Sequence, residues 1–344
     1  MKKDYKKLII KIGTNVITND SGLLDIPVME QIVNQVAQLK KQGIKIIIVS
    51  SGAMGAGRSL VKISEDEDRV VKRQVLAAVG QVKLMQTYVD LFVKHGLNCA
   101  QVLATKSDFR DRRHYLNMKN CFEALLRDDI IPIVNENDVV SVDELMFTDN
   151  DELAGLIASM MSVEAVLLLS LVGGILRADG SVVAVVKDEK EVSEHILPCV
   201  SKFGRGGMHT KCRIALKLAG LGITTHILNG RRAGAIIDAL SGKKVGTKFL
   251  ATGDKVSNVK KWIAYAEGQE KGIVHINECA EPVLREKGKA RSLLPVGITK
   301  VEGVFEKGDI IKIKNYQGKI IGFGRAEYGS DLAKKNMGKK GNRE

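Results

Sequence analysis

A chain of 344 residues, 44% of them apolar, can bury a sizeable core and exceeds one ordinary domain, so global disorder is excluded and two domains are expected. The formal net charge of +13 favours anionic partners: nucleotides, phosphates, acidic metabolites or nucleic acid. The excess is uneven, because residues 259–344 hold 18 Lys and Arg against 11 Asp and Glu, a surplus of +7.

The basic start is followed by a short apolar run broken by Lys11, which reads as a strand over residues 8–12 rather than a secretory signal. Residues 28–42 place Val28, Ile32, Val33, Val36 and Leu39 on one helical stripe, and Gly43 ends it. A second buried strand spans residues 44–49 and runs into Ser50-Ser51-Gly52-Ala53, with further glycines at 55 and 57. A long helix is predicted over residues 70–93, a strand over 99–103, a helix over 115–126 and a strand over 130–134. An acidic, amide-rich stretch follows, from Asn135 through Asp138, Asp143, Glu144, Asp149, Asn150, Asp151 and Glu152, before an apolar helix at residues 153–161. Residues 165–169 read as a strand, with residues 182–186 expected to pair in a hairpin after Asp179-Gly180. Gly204-Arg205-Gly206-Gly207 opens a helix over residues 208–219, and a strand at residues 225–228 stops at Asn229-Gly230.

Strands alternating with helices imply an α/β fold, an open and mainly parallel sheet sandwiched by helices. Near residues 251–257 the pattern changes to short β-rich pieces at 273–276, 296–301, 310–313 and 320–324, the pattern of a small C-terminal β-barrel. The expected division is residues 1–255, a linker at 256–270, the barrel at 271–333 and a basic polar tail at 334–344. The five cysteines (Cys99, Cys121, Cys199, Cys212 and Cys279) are odd in number with no C-x-x-C pair, which fits reduced, buried thiols in a cytoplasmic protein. The six histidines show no zinc-type spacing, no metal-binding side chains are expected, and no apolar run reaches membrane-spanning length.

Ten acidic and amide residues exceed what a helix cap needs, and their place after a buried strand is where open α/β sheets bind ligands. The glycine turns fit neither common nucleotide fingerprint: there is no G-x-x-x-x-G-K-[ST], and Gly52, Gly55 and Gly57 give G-x-x-G-x-G. What remains is Lys11 before Gly13 at a strand end, and Lys211 in the first turn of a helix opened by glycines. Lys11 is either a strand lysine at a sheet edge or a phosphate ligand. A cation at the position of Lys211 opposes the helix dipole unless an anion sits there. Two lysines on separate elements could straddle a transferring phosphoryl group.

These residues resemble the glutamate 5-kinase branch of the amino-acid kinase superfamily, which carries a C-terminal PUA domain, over nearly the whole chain. The motifs are Lys11-Ile12-Gly13-Thr14-Asn15, Ser50-Ser51-Gly52-Ala53, Asn135-Glu136-Asn137-Asp138, Asp149-Asn150-Asp151, Gly206-Gly207-Met208 with Lys211, and, in the second domain, Leu293-Leu294-Pro295-Val296-Gly297-Ile298 with Gly308-Asp309. The resemblance implies glutamate binding by Ser51, Gly52, Ala53, Asp138 and Asn150. It implies ATP binding by Lys11, Ser170, Leu171, Arg205, Gly206, Gly207, Met208, His209, Thr210 and Lys211. Lys11 and Lys211 would contact the phosphates and act in catalysis, with Asp151 orienting both. Departures lie on the nucleotide side, at Ser170-Leu171, at Gly174-Ile175-Leu176, at Asp179-Gly180 and at Arg205, where the family usually has threonine.

The expected reaction is phosphorylation of the side-chain carboxylate of L-glutamate by ATP, toward proline. A carboxylate with pKa of about 4.3 is already ionised, so no general base is needed. Catalysis would be positioning and cationic stabilisation, with Mg²⁺ held largely by the ATP phosphates. The resemblance also raises feedback inhibition by proline, a homo-oligomer, and RNA contact through the PUA-like part. Two competing readings stay open here: another amino-acid kinase, such as one acting on uridylate or acetylglutamate, and an RNA-binding PUA protein with a weakened kinase domain.

Overall fold

The computed structural model describes residues 5–64, 66–141, 150–187, 191, 207–252, 270–286 and 292–339. They fall into two compact units. The first joins Met1–Lys106 to Asn117–Val256, and the second joins Ser107–Leu116 to Ser257–Glu344.

The chain opens with β1 (Lys7–Ile12), α1 (Thr14–Ile17), α2 (Ile26–Lys41), β2 (Lys45–Ser50), α3 (Ala53–Arg58), α4 (Arg69–Val93) and β3 (Cys99–Ala104). It continues through α5 (Lys106–Arg110), α6 (Arg112–Arg127), β4 (Ile131–Glu136), α7 (Asn150–Met161), β5 (Ala165–Ser170) and β6 (Val185–Val186). After these come α8 (Met208–Gly220), β7 (Thr224–Asn229), α9 (Ala235–Leu240) and β8 (Thr247–Phe249). Eight strands form one sheet in the order β3-β4-β2-β1-β5-β7-β8-β6, parallel throughout except between β7 and β8.

β1 is central because it is apolar on both faces, and it pairs in parallel with β2 on one side and β5 on the other. The chain leaves β1 toward β2 and later returns to β1's other flank at β5. The crevice beyond their C-terminal ends is therefore a topological switch point, where such sheets take ligands. Ile10, Ile12, Ile48, Leu167 and Leu169 pack one sheet face against α2 and α4 residues such as Val33, Val36, Leu84 and Phe92. Caps set the helix starts: Asp25 accepts from the Val28 amide, and Asp68 from the Val70 and Val71 amides.

The second unit holds β9 (Gly272–Ile276), α10 (Ala280–Arg285), a 3-10 turn (Pro295–Gly297), β10 (Ile298–Gly303), β11 (Ile310–Lys314), β12 (Ile320–Arg325) and α11 (Ser330–Asn336). Its described strands form one sheet in the order β10-β9-β11-β12 over a core that includes Val274, Ile276, Ile298 and Phe305.

Three local expectations differ from the structure. Residues 182–186 pair only in part as expected: Val182 and Val183 turn back antiparallel onto Leu176 and Ile175 around Asp179-Gly180, whereas Val185 and Val186 pair with β8. Lys334 and Lys335, assigned by composition to a polar tail, belong to α11, because Ala333 of that helix is buried in the second core. Of the cysteines, Cys212 is buried and Cys99 partly so, and burial pushes their thiols up to about 12 and about 11, whereas Cys121 and Cys279 are exposed. Cys199 lies outside the described residues. No described helix is long and apolar enough to cross a membrane.

Candidate active site

The C-terminal end of β1 carries Lys11, whose strand partners are Val49 and Leu168. Its ammonium reaches Asp151 Oδ1 at 2.6 Å, and Lys211, from the first turn of α8, reaches Asp151 Oδ2 at 2.9 Å. Asp151 is fully buried, and Lys11 and Lys211 are only 4% and 8% exposed. Burial alone would raise the Asp151 carboxyl; the two ammonium groups override it and hold its pKa at about 2. One anion therefore fixes two cations from distant elements, with a net positive charge left over.

Beside this cluster, Asn150 opens α7 and spends both amide hydrogens on neighbours, donating to Ser51 Oγ at 2.8 Å and to Asn135 Oδ1 at 2.9 Å. Asn135 donates in turn to Gln81 Oε1 at 3.0 Å. The sequence pattern started this helix at residue 153; it begins at Asn150, so Asn150 and Asp151 are held on a helical turn, one facing Ser51 and the other the lysines. Asp138 is also at this end of the sheet, where Arg73 of α4 donates to its Oδ1 at 2.7 Å and lies 3.9 Å from Glu136 Oε2. Arg73 and Gln81 escaped the sequence reading. Each is one polar residue on a long amphipathic helix, and nothing in the local pattern marks it. Asp143, Glu144 and Asp149 lie outside the described residues.

Glycines shape the Ser51 turn. Gly52 has φ of 106°, a left-handed conformation that caps α3 and brings Ala53 round after Ser51. Gly57 is not part of a phosphate loop: it faces α4 where a Cβ would overlap the Leu76 carbonyl, and a Cβ at Gly80 would overlap the Ala53 carbonyl and the Gly57 amide. The glycines thus allow α3 and α4 to touch backbone to backbone, which fixes Ala53 against the helix bearing Gln81.

On the other side of Lys11, Ser170 Oγ donates to the Val172 carbonyl at 2.9 Å, and Leu171 is 48% exposed at the end of β5. Gly207 caps α8 with no side-chain acceptor among the described residues, and a helix N-terminus of this kind favours an anion. Met208 and Thr210 are half-buried, His209 is exposed, and only Lys211 turns into the cluster. Arg205 and Gly206 lie outside the described residues.

Residues 6–229, most of the first unit, match the amino acid kinase family, and residues 272–343 match the PUA domain. The chain belongs to the amino acid kinase family. It is 50% identical to a protein of Chlorobaculum tepidum named glutamate 5-kinase, covering 98% of this chain and 94% of that one. A protein of the same name from Bacteroides thetaiotaomicron is 47% identical over 99% of this chain and 96% of its own. A solved structure of UMP kinase from Bacillus anthracis aligns with a TM-score of 0.50 at 16% identity, covering 73% of this chain and 98% of that one, a likeness of fold. In this amino acid kinase, the lysine–aspartate cluster and the Ser51–Asn150 bond lie side by side at the C-terminal ends of β1, β2 and β4.

Proposed function

We propose that the chain is an ATP-dependent kinase acting on the side-chain carboxylate of L-glutamate, yielding L-glutamyl 5-phosphate, the first step toward proline, and ADP. The observation that carries this reading is the convergence of Lys11 and Lys211 on buried Asp151, next to the hydrogen-bonded pair of Ser51 and Asn150. The relatives named glutamate 5-kinase support the choice of acceptor.

In the reaction, a glutamate carboxylate oxygen forms a bond to the γ-phosphorus, and the bond from that phosphorus to the bridging oxygen breaks, leaving the electron pair on ADP. Two anions must meet, so the difficulty is charge and not proton transfer. Lys11 and Lys211 carry the compensating charge onto the γ-phosphoryl oxygens. Asp151 holds both ammonium groups in place before substrate arrives, so little reorganisation is needed at the moment of transfer. The N-terminus of α8 at Gly207 and Met208 favours the phosphates. Asp151 is committed to two lysines, so a Mg²⁺ ion would be held mainly by the ATP phosphates and would neutralise part of their charge. Ser51, Gly52, Ala53, Asp138 and Asn150 are assigned to the amino acid, and Ser170, Leu171, Gly207, Met208, His209 and Thr210 to the nucleotide, as are Arg205 and Gly206 on their sequence alone. Catalysis is assigned to residues 1–255 and the PUA-like part to residues 271–333, with residues 256–270 as a linker.

The test is ADP release by purified protein with ATP, Mg²⁺ and, separately, glutamate, aspartate, acetylglutamate or UMP. Release with glutamate alone is expected; release only with UMP or acetylglutamate would move the protein to another branch of the family.

A further inference from the structure

Four side chains from different parts of the fold form one directed hydrogen-bond chain. Gln81 Oε1 accepts from Asn135 Nδ2, Asn135 Oδ1 accepts from Asn150 Nδ2, and the second hydrogen of Asn150 Nδ2 goes to Ser51 Oγ. The direction matters because an amide can present either its oxygen or its nitrogen. With Gln81 accepting, Asn135 must present its oxygen to Asn150, and Asn150 must present its nitrogen to both neighbours. That leaves Asn150 Oδ1 as an acceptor, and the Ser51 hydroxyl, already accepting, keeps its own hydrogen to donate. A ligand with one donor and one acceptor end, an ammonium beside a carboxylate, fits this polarity.

Gln81 is 8% exposed, and its Nε2 is buried with no hydrogen-bond partner among the described residues. It lines a cavity of about 240 Å³ together with Ala53, Gln101, Glu136 and Asp138. An unpaired buried amide is unfavourable. A glutamine turned the other way would present Nε2 to Asn135 and reverse the whole chain. The side chain instead spends its oxygen on Asn135.

We propose that Gln81 is a positioning residue for the amino-acid substrate: by accepting from Asn135 it sets the polarity of Asn150 and Ser51, so that they meet the ammonium and a carboxylate of the substrate. This rests on the glutamate kinase reading. Gln81 touches no reacting atom; it acts through Asn135 and Asn150.

The experiment compares full-length wild type, Gln81→Leu, which removes the acceptor at similar volume, and Gln81→Glu, which keeps an oxygen where Asn135 needs one. ADP release is followed against glutamate and against glutarate, which lacks the ammonium, with a thermal melt of each protein. Gln81→Leu should raise KM for glutamate by about tenfold, the scale of one lost hydrogen bond, while kcat and KM for ATP change by less than about threefold. Its preference for glutamate over glutarate should narrow, and Gln81→Glu should return KM to within about threefold of wild type. A merely structural role would lower melting temperature and every kinetic constant together, without rescue. If Gln81→Leu does not fold, Gln81→Glu decides alone, since a tenfold rise in its KM for glutamate overturns the proposal. Active wild type with an unaltered Gln81→Leu overturns the positioning role only, whereas wild type that releases no ADP with glutamate overturns the functional reading and this proposal with it.

Discussion

Lys211 Nζ stands 2.9 Å from Asp151 Oδ2, although the two residues are 60 positions apart in the chain. A lysine in the first turn of a helix opposes the helix dipole, and the pairing shows what compensates it here. The compensating anion belongs to the protein itself, so the cation is held in place with or without a phosphate nearby.

For Lys211→Ala, the turnover number should fall by about 10²-fold or more, the scale of a lost electrostatic donor, with a smaller effect on ATP affinity. The variant should also be less stable, because buried Asp151 keeps only Lys11. The loss should stay below the roughly 3–5 kcal/mol of stripping a buried ion of its sole partner. Steady-state kinetics and urea denaturation of the same preparation measure both, and near-normal turnover would make the lysine structural.

Removing Asp138 tests the amino-acid side of the crevice. Its Oδ1 already takes a hydrogen bond from Arg73, so the rest of the carboxylate is what remains for a substrate ammonium. Loss of a charged hydrogen bond worth about 1.5–3 kcal/mol predicts at least a tenfold rise in KM for glutamate in Asp138→Ala, with KM for ATP little changed. Unchanged glutamate kinetics would take Asp138 out of the site.

Gly80→Ala should be far more damaging than an ordinary helix substitution. Elsewhere in a helix the change gains about 0.5–1 kcal/mol. Here the added methyl would overlap the Ala53 carbonyl and the Gly57 amide, forcing α3 away from α4 at a cost of about 1–3 kcal/mol or more. Because Ala53 follows Ser51 and Gly52, glutamate KM should rise as well. A variant as stable as wild type would show that the two helices do not depend on this contact.

His226 provides a pH dependence unrelated to the crevice. Burial, reinforced by Lys248, lowers its pKa to about 4 from the ordinary 6.5. The unfolded chain therefore takes up a proton that the folded protein refuses between those values. The stability contribution is complete above pH 6.5 and is lost as pH falls toward 4, amounting to about 2 kcal/mol between pH 7 and 5. Urea denaturation at pH 7 and 5 should show a smaller drop for His226→Leu than for wild type; equal drops would mean that other groups carry the acid sensitivity.

The alternation of apolar strands with amphipathic helices was enough to define a mainly parallel α/β sheet, because burial on both faces writes itself into runs such as residues 8–12 and 165–169. Lys11, Asp151 and Lys211 were also legible as candidates, since charged residues at strand and helix ends stand out against an apolar background. Their meeting was not legible, because it depends on β1 lying between β2 and β5, a neighbourhood that no local pattern encodes. The same holds for Gln81 and Arg73, which look like solvent-facing positions of α4 until the helix is laid over the ends of β2 and β4. Gly57 was misleading for a related reason: a missing Cβ serves a turn or a close helix contact equally well, and only the packing of α3 on α4 distinguishes them. The chemistry of single residues and the period of single elements were thus settled by the sequence alone. Which side chains share a crevice was decided by the order of strands in the sheet, because electrostatic and hydrogen-bond partners act over a few ångströms of space whatever their separation along the chain.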